Sequence, residues 1–364
     1  MPIIPLKCPS CGAQLQADSD SAILTCKYCG TNSVMKDAIV QNYIQNTVNI
    51  NAATVNVCSQ KDFVIRGGVL EKYCGESVDV VIPNNVTAIG KEAFKGLQIR
   101  SVVIPNSVRE IRDDAFDSCT ALTSVKIPNS VKKIGESAFL GCTALTSISI
   151  PASIKKIDRS TFFGCSALKS VTIPESVTAI EISAFNNCTA LESVTIPESV
   201  TAIKISAFEN CAALKSVTIP KSVTAIECSA FENCAALESV TIPGSVVEIG
   251  FDAFNGCRSL TSLTLGEGVQ KIWYRAFLNC SSLTSITIPK SVKSIDHHAF
   301  AECTALKSVT ILNSKAHIGS GAFKEYDEYI VEKRKREGKC RHCGGSFKGI
   351  FKSVCSSCGR EKDY

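Results

Sequence analysis

Residues 188–208 read CTALESVTIPESVTAIKISAF, and closely similar stretches recur every 23 residues along most of the chain. Nine cysteines keep this spacing: Cys119, Cys142, Cys165, Cys188, Cys211, Cys234, Cys257, Cys280 and Cys303. A phenylalanine recurs in the same register: Phe116, Phe139, Phe162, Phe185, Phe208, Phe231, Phe254, Phe277, Phe300 and Phe323, with Phe94 before them after a shorter unit. Repetition at a fixed period of this size predicts a solenoid or a propeller.

Each repeat can be interpreted as one coil of a solenoid. Val194 and Ile196 alternate with polar residues, so they turn inward from a short strand. Pro197 ends that strand because it has no N–H for another ladder bond. Ile203 points back inside, and Phe208 fills the far wall. One coil cannot bury its apolar face alone, so we expect eleven stacked coils with a continuous core and parallel strands.

This pattern resembles the BspA-type leucine-rich repeats, and the resemblance covers roughly residues 65–323. It implies a mainly β solenoid, a superhelix of short parallel strands. The general leucine-rich motif has Asn or Cys at its ninth position, where this chain mostly has serine: Ser130, Ser153, Ser176, Ser199 and Ser222. Asn85 keeps the amide in the first unit, and Gly268 interrupts the row. A buried hydroxyl can bond the backbone of the next coil, so we expect the structural role to be kept.

The repeated cysteines are interpreted as core residues. Free cysteine behaves as a small buried hydrophobe, and the odd number and common inward direction argue against pairing or redox sensing.

Two further groups of cysteines predict metal sites at the two ends of the chain. Residues 8–12 and 26–30 read CPSCG and CKYCG, and residues 340–345 and 355–359 read CRHCGG and CSSCG. Each group supplies four thiolates on two tight turns, a tetrahedral set that selects zinc or iron. Both look like zinc ribbons, and we expect two structural Zn²⁺ ions held by Cys8, Cys11, Cys26, Cys29, Cys340, Cys343, Cys355 and Cys358. Redox CxxC chemistry is the alternative, but it needs a strand–helix–strand context.

The predicted domains follow from these patterns. Residues 1–40 form one ribbon, with strands at 13–16 and 22–25 joined by a turn, and residues 340–364 form the other. Residues 41–64 are an Asn-rich linker or N-terminal cap before the 65–323 solenoid. Residues 324–339 predict a basic capping helix that ends in Lys333–Arg336.

Composition and charge exclude several classes of protein. The 364 residues are 45% hydrophobic and carry a formal charge of +5, too little to require a nucleic-acid partner. The N-terminal MPIIPLKCPSCG has no apolar run of signal-peptide length, and no segment approaches the roughly 20 apolar residues of a membrane span. These two observations predict a cytoplasmic location. Four histidines and no nucleophile–base set, phosphate loop or carboxylate pair predict a protein without enzymatic activity.

A candidate binding surface comes from a column of residues that changes along the repeats. This variable column lies three residues before each repeated phenylalanine: Asp113, Glu136, Arg159, Ile182, Ile205, Cys228, Phe251, Tyr274, His297 and Ser320. Aromatic residues and arginine are enriched in interface hot spots, so we expect partner binding at Phe251, Trp273, Tyr274, Arg275, His297 and His298. Burial of these side chains by the local turn is the competing interpretation. By contrast, the Ser/Thr strand face carries alternating lysine and glutamate that neutralise one another.

The sequence therefore predicts a non-enzymatic protein–protein interaction scaffold whose partner it does not identify. One alternative is a nucleic-acid-associated factor that uses the ribbons and Lys333–Arg336. A second alternative is a cell-surface adhesin, as the resembled family includes many such proteins. Neither alternative predicts insertion into a membrane.

Overall fold

The structure is a computed structural model of the chain. It describes residues 6–7, 14–15, 23–25, 32–34, 62–337, 339, 347–348, 354–355 and 357. The chain divides into two compact units, Met1–Ser59 and Gln60–Tyr364.

The first unit contains two antiparallel strand pairs. Strand β1 (Leu6–Lys7) pairs with β2 (Gln14–Leu15), and β3 (Ile23–Thr25) pairs with β4 (Asn32–Val34). Strands are therefore present where 13–16 and 22–25 predict them, but they do not pair with each other. Each pairs instead with a strand on the other side of the adjacent CxxC sequence.

The second unit begins with an antiparallel hairpin of β5 (Phe63–Arg66) and β6 (Val69–Tyr73). Gly67 and Gly68 form its turn with φ of 54° and 78°, a region that glycine occupies without steric cost. The expected solenoid start at Ile65 lies inside β5. The expected cap over residues 41–61 lies outside the described residues.

From β6 onward, every coil contributes strands to two walls of parallel strands. The first-strand wall contains β7 (Asp79–Val81), β9 (Ser101–Val103), β11 (Ser124–Lys126), β13 (Ser147–Ser149), β15 (Ser170–Thr172), β17 (Ser193–Thr195), β19 (Ser216–Thr218), β21 (Ser239–Ile242), β23 (Ser262–Leu265), β25 (Ser285–Ile288) and β27 (Ser308–Ile311). The second-strand wall contains β6, β8 (Ala88–Ile89), β10 (Glu110–Ile111), β12 (Lys133–Ile134), β14 (Lys156–Ile157), β16 (Ala179–Ile180), β18 (Ala202–Ile203), β20 (Ala225–Ile226), β22 (Glu248–Ile249), β24 (Lys271–Ile272), β26 (Ser294–Ile295) and β28 (His317–Ile318).

Each wall has one interruption in its hydrogen-bonded strand order. On the first-strand wall the order runs from β7 to β23, and β25 pairs only with β27. On the second-strand wall β12 ends one sheet and β14 begins the next. Elsewhere, equivalent residues of successive coils pair directly, as Ala202 does with Ala225. The predicted β solenoid of parallel strands is confirmed.

The core lies between the two walls and contains the predicted inward residues. Val194, Ile196, Ile203 and Phe208 are all buried, and β17 ends before Pro197 as expected. The repeated phenylalanines from Phe94 to Phe323 stack in one continuous ladder, with neighbouring ring centroids 4.9 to 5.7 Å apart. Stacked rings fill the space between coils without gaps, so each coil holds its neighbours in register.

The thiols of the nine repeated cysteines complete the core beside this ladder. All nine cysteines are completely buried, and each thiol donates a hydrogen bond to the backbone carbonyl of a ladder phenylalanine. The Sγ–O distance is 3.2 Å from Cys188 to Phe162 and 3.3 Å from Cys211 to Phe185. The interpretation of this row as core residues is confirmed.

Four of the five serines in the predicted row connect coils as the sequence predicts, and Ser130 is the exception, since its buried hydroxyl has no partner. Ser176 donates to the carbonyl of Ile154 at 2.6 Å and Ser222 to that of Val200 at 2.7 Å. At Gly268 a Cβ atom would lie 1.7 Å from the backbone oxygen of Gly244, so the close approach of the preceding coil explains the glycine that interrupts the row.

The solenoid ends at helix α1 (Lys324–Arg336), which lies within the segment that predicts a capping helix. Tyr326, Tyr329 and Ile330 are half-buried, and the Glu325 side chain accepts a hydrogen bond from the Glu302 amide of the last coil at 2.7 Å. After the helix, β29 (Phe347–Lys348) and β30 (Val354–Cys355) form an antiparallel pair. Among the described residues, no helix has the length and apolar character needed to cross a membrane.

Candidate functional site

The variable column lies at the start of the turn that follows each second strand, along one edge of the second-strand wall. None of its ten side chains is buried, so the local turn does not hide them. Ile205 is 41% exposed and Phe251 is 40% exposed. The column therefore presents a set of distinct side chains to solvent.

An aromatic cluster forms where the column changes to large rings. The rings of Phe251 and Trp273 lie 4.7 Å apart between centroids at an angle of 34°. Trp273 donates its Nε1–H to a carboxylate oxygen of Glu248 at 2.8 Å, and the Lys271 ammonium lies 2.9 Å from the centroid of the indole ring. A cation over an aromatic face and a hydrogen bond to its edge together hold the indole in one orientation.

A second aromatic group adjoins the first. The Arg275 guanidinium lies 4.7 Å from the centroid of the Tyr274 ring. The His298 and Tyr274 rings meet edge to face, with their centroids 6.1 Å apart. Asp252 is partly buried nearby: burial raises the pKa of its carboxyl, and Arg275 opposes that shift. The cluster is thus a partly apolar surface with cations on its aromatic faces.

The histidines of the predicted site are held differently. The Nδ1 atom of His297 accepts a hydrogen bond from the Ser320 amide at 3.0 Å. His298 adopts a left-handed backbone conformation with a φ of 56° and contacts Tyr274, whereas no ring contact joins His297 to the cluster within residues 62–337. In the part of the chain that is described, no three potential ligands gather around a common metal position.

On the opposite, first-strand wall, one of the expected lysine–glutamate pairs is present. Lys215 and Glu192 lie 3.7 Å apart on neighbouring coils, and both are well exposed. A shallow depression on this wall is lined mainly by serine, threonine and valine side chains, including Ser216, Thr218 and Thr241. Because this wall carries paired charges and the same small hydroxyl groups on successive coils, a partner could hardly distinguish one coil from the next here.

The cysteine row is buried, and burial raises the pKa of eight of its nine thiols, which makes them unreactive. For Cys119 the value rises to about 12, and the thiols of Cys165 and Cys188 lie well above their ordinary value for the same reason. Of the free cysteines in the described part, only Cys74 and Cys228 reach the surface.

The predicted metal ligands lie outside the described residues, except that the backbone of Cys355 forms part of β30. Just after the basic end of α1, the Glu337 carboxylate and the Lys339 ammonium form an ion pair at 2.9 Å, and that contact lowers the pKa of the Glu337 carboxyl.

Sequence reasoning missed two features of this wall. The first is the pair Glu248 and Lys271, which contact Trp273 and were not among the predicted site residues. Both occupy the same repeat position, on the strands that precede Phe251 and Trp273, and this spacing was the signal in the sequence that could have identified them. It also missed that the residue after each column member is left-handed, as at Ser183, Ser206 and Arg275. The recurrent small or polar residue there was the available signal.

The comparisons with known proteins agree on the repeat. The family description "BspA type Leucine rich repeat region (6 copies)" matches residues 71–188, 110–238 and 224–331. No curated protein sequence matches the chain.

Several solved structures are similar over most of the chain. A leucine rich cell surface protein from Faecalibacterium prausnitzii A2-165 is 27% identical, with 72% of this chain and 97% of that one covered and a TM-score of 0.43. A leucine-rich repeat protein from Bacteroides ovatus is 26% identical, with 75% and 90% covered and a TM-score of 0.43. One from Eubacterium ventriosum is 22% identical, with 70% and 78% covered and a TM-score of 0.47.

The family match extends over more than half of the chain and coincides with the coils seen in the structure. The chain belongs to the BspA-type leucine-rich repeat family.

Proposed function

We propose that this chain is a non-enzymatic scaffold that binds another protein through the second-strand wall, with the aromatic cluster as its anchor. The observation that carries the proposal is the contact between the tilted rings of Phe251 and Trp273 at the solvent-facing edge of an otherwise regular wall. Buried aromatic anchors supply most of the free energy in many protein interfaces. A ring that is already fixed by Glu248 and Lys271 loses little conformational freedom when it binds.

The repeated coils supply rigidity, and the departures from the repeat supply specificity. The coils around β15 to β21 are nearly identical in sequence, so they cannot discriminate one partner from another. Phe251, Trp273, Tyr274 and Arg275 differ from their equivalents in those coils and lie together. A partner that recognises this chain is therefore expected to contact the cluster.

We also propose that each end of the chain is a zinc ribbon with a structural role. Four thiolates at each end leave no open coordination position for catalysis. The antiparallel pairs β1–β2 and β3–β4, which flank the first two CxxC sequences, support this, as such hairpins place two thiolates on one turn. Thiolate ligands and free cysteines are kept in reducing compartments, which supports a cytoplasmic location.

The binding proposal is tested by quantitative cross-linking and capture from cells that express the chain. Trp273→Ala should lower the yield of the partner at least 30-fold, since loss of a central anchor costs about 2 kcal/mol or more. Lys215→Ala, on the first-strand wall, is the matched control and should leave the yield unchanged.

Because Trp273 is only partly exposed, Phe251→Ser is made in parallel, and the thermal unfolding of each variant is measured first. If both cluster variants fold and capture the partner normally while Lys215→Ala loses it, binding occurs on the first-strand wall. A capture that falls steeply with salt and depends on nucleic acid would instead favour a nucleic-acid-associated factor.

A further inference from the structure

A stripe of cations crosses three successive coils near the N-terminal end of the second-strand wall. This cationic stripe is formed by side chains at the start of β10, β12 and β14, all of them exposed: Arg109, Lys132, Lys133, Lys155 and Lys156. The only carboxylate at these positions is that of Glu110. The next three coils carry threonine and alanine there: Thr178, Ala179, Thr201, Ala202, Thr224 and Ala225. The charge is therefore concentrated in three coils.

The carboxylates of the wall compensate only part of the stripe. Lys133 lies 3.6 Å from a carboxylate oxygen of Glu110, and Lys156 forms an ion pair with Asp158 at 2.8 Å. Within residues 62–337, no ion pair joins a carboxylate to the other three cations, which are Arg109, Lys132 and Lys155. Neighbouring strands lie about 4.8 Å apart, and like charges opposite one another destabilise a sheet. The stripe therefore lowers the stability of the unliganded protein, and a bound anion would relieve the repulsion.

The strand ladder is interrupted between the coils that carry the four lysines. The Lys132 amide donates to the Arg109 carbonyl at 2.7 Å, and the Thr178 amide donates to the Lys155 carbonyl at 2.8 Å. Between these two bonds, β12 and β14 do not pair.

The same two coils are also the most widely spaced along the phenylalanine ladder. Their rings, Phe139 and Phe162, lie 5.7 Å apart, whereas all other neighbouring rings of the ladder are 4.9 to 5.4 Å apart. An anionic group above this step would lie within reach of lysines from both coils.

The surroundings of the stripe determine which polyanion fits it. On the side of the following turn, the stripe is bordered by two arginines and four carboxylates: Arg112, Arg159, Asp113, Asp114, Glu136 and Asp158. A nucleic-acid duplex carries phosphates on both sides of grooves about 6 to 12 Å wide, so it would place some of them against these carboxylates. Single strands are held largely by stacking on aromatic side chains, and β10, β12 and β14 contain none. A narrow chain with a few anionic groups fits better.

The same wall leads from the stripe to the aromatic cluster. The coil of Phe251 is four coils beyond that of Lys155, about 19 Å along the solenoid, and an extended peptide covers this distance with about six residues. We propose that the partner is a protein that lays an extended acidic segment along the second-strand wall. Its carboxylates lie over the cationic stripe, and an apolar side chain further along contacts Phe251 and Trp273. This inference rests on the proposed protein-binding role of the cluster and adds the chemistry of the partner.

The test is fluorescence anisotropy with the full chain at about 0.15 M salt and a labelled probe peptide. The probe has five acidic residues, a flexible Gly/Ser spacer of about twelve residues and a final leucine and tryptophan. Such a spacer has a root-mean-square length of about 17 to 21 Å, which matches the distance from the stripe to the cluster. The wild type should bind this probe more tightly than a probe with serine in place of each acidic residue.

Charge reversal in the stripe should weaken binding of the acidic probe. Lys132→Glu with Lys155→Glu should raise the dissociation constant about 10-fold, because each substitution removes an attraction and adds a repulsion. The matched control is Lys126→Glu with Lys169→Glu, the same charge change at exposed residues of the first-strand side, and it should leave the affinity nearly unchanged. The thermal unfolding of both variants is measured first. The stripe variant should unfold no earlier than the wild type, since it removes like-charge repulsion.

Other polyanions are measured at the same salt: a 20-base-pair DNA duplex of arbitrary sequence, and vesicles that contain phosphatidylserine. If the duplex or the vesicles bind more tightly than the probe and lose affinity in the stripe variant, the partner is not an acidic protein segment and the inference is overturned. Equal binding of the acidic and serine probes overturns it as well, and so does an equal loss in the stripe variant and its control.

Trp273→Ala separates this inference from the proposed function. If the stripe variant binds the probe normally while Trp273→Ala loses it, the acidic segment is rejected and the aromatic anchor stands. If only the stripe variant loses the probe, the acidic chemistry of the partner is supported and the anchor is rejected. Loss in both folded variants, with the control unchanged, supports both.

Discussion

The buried thiols make the stability of the solenoid sensitive to alkaline pH. Burial raises the pKa of eight of the nine row cysteines above the ordinary value of 9.0. Above pH 9 the unfolded chain releases the thiol protons, whereas the native state, with its raised pKa values, keeps them. The free energy of unfolding therefore has its full value below pH 9 and falls as the pH rises. At pH 9.5 we expect a loss of about 0.8 kcal/mol per thiol, or about 6 to 7 kcal/mol if the coils unfold together.

Urea unfolding at pH 8 and pH 9.5 under reducing conditions measures this loss. Cys188→Ala should be less stable than the wild type at pH 8, because the substitution leaves a cavity in the core. Its stability should nevertheless fall less between pH 8 and pH 9.5, because the variant has one buried thiol fewer to titrate. Equal stability of the wild type at both values would contradict the burial argument. Alkylation of the native protein provides an independent check, and it should modify Cys74 and Cys228 before any row cysteine.

At the scale of the coil, the turn that carries the serine row allows a prediction with an internal control. The Ser199 hydroxyl donates to the Val177 carbonyl at 2.5 Å, whereas the Ser130 hydroxyl, at the same repeat position, is buried without a partner. Ser199→Ala should cost about 1 kcal/mol because the carbonyl loses its donor. Ser130→Ala should be neutral or stabilising, because it removes an unpaired polar group.

Chemical denaturation of the two variants against the wild type gives both values under one set of conditions. Equal losses at the two positions would mean that the hydroxyl acts through packing alone. The same result would remove the hydrogen bond as the reason for serine at the ninth position.

The coil was predictable from the sequence because its physical causes are local and repeated. The position of Phe208 in each repeat and the strand stop at Pro197 follow from residue type and spacing. The interruption between β12 and β14 was not predictable, since it depends on how two particular coils pack. The terminal hairpin of β5 and β6 was also missed, because it departs from the repeat on which the prediction rests.

The candidate site was predictable in position and incomplete in composition. A column that changes among nearly identical repeats indicated Phe251 and Tyr274, with Trp273 beside them, and none of the three side chains is buried. Glu248 and Lys271 belong to other columns, so a search along one column could not include them.

At the scale of the whole molecule, the proposed zinc ribbons and the solenoid should unfold separately. Met1–Ser59 is a compact unit of its own, and the coils have a continuous core of stacked phenylalanines that needs no metal. In small zinc domains metal binding supplies the folding free energy, about 10 to 16 kcal/mol, so loss of the ion unfolds the domain. Elemental analysis of protein purified without added metal should find two zinc ions per chain. Cys8→Ser should reduce this to one.

The solenoid should keep its main cooperative thermal transition in Cys8→Ser and in chelated wild-type protein, within about 2 °C, because coil-to-coil contacts determine that transition. A matched loss inside the core gives the opposite pattern: Phe208→Ala should keep both zinc ions and lower the transition strongly, since truncating a buried phenylalanine costs about 3 to 5 kcal/mol. A zinc content near zero in reducing buffer would reject the ribbons. A main transition that falls as far in Cys8→Ser as in Phe208→Ala would show that the ends and the coils form one cooperative structure.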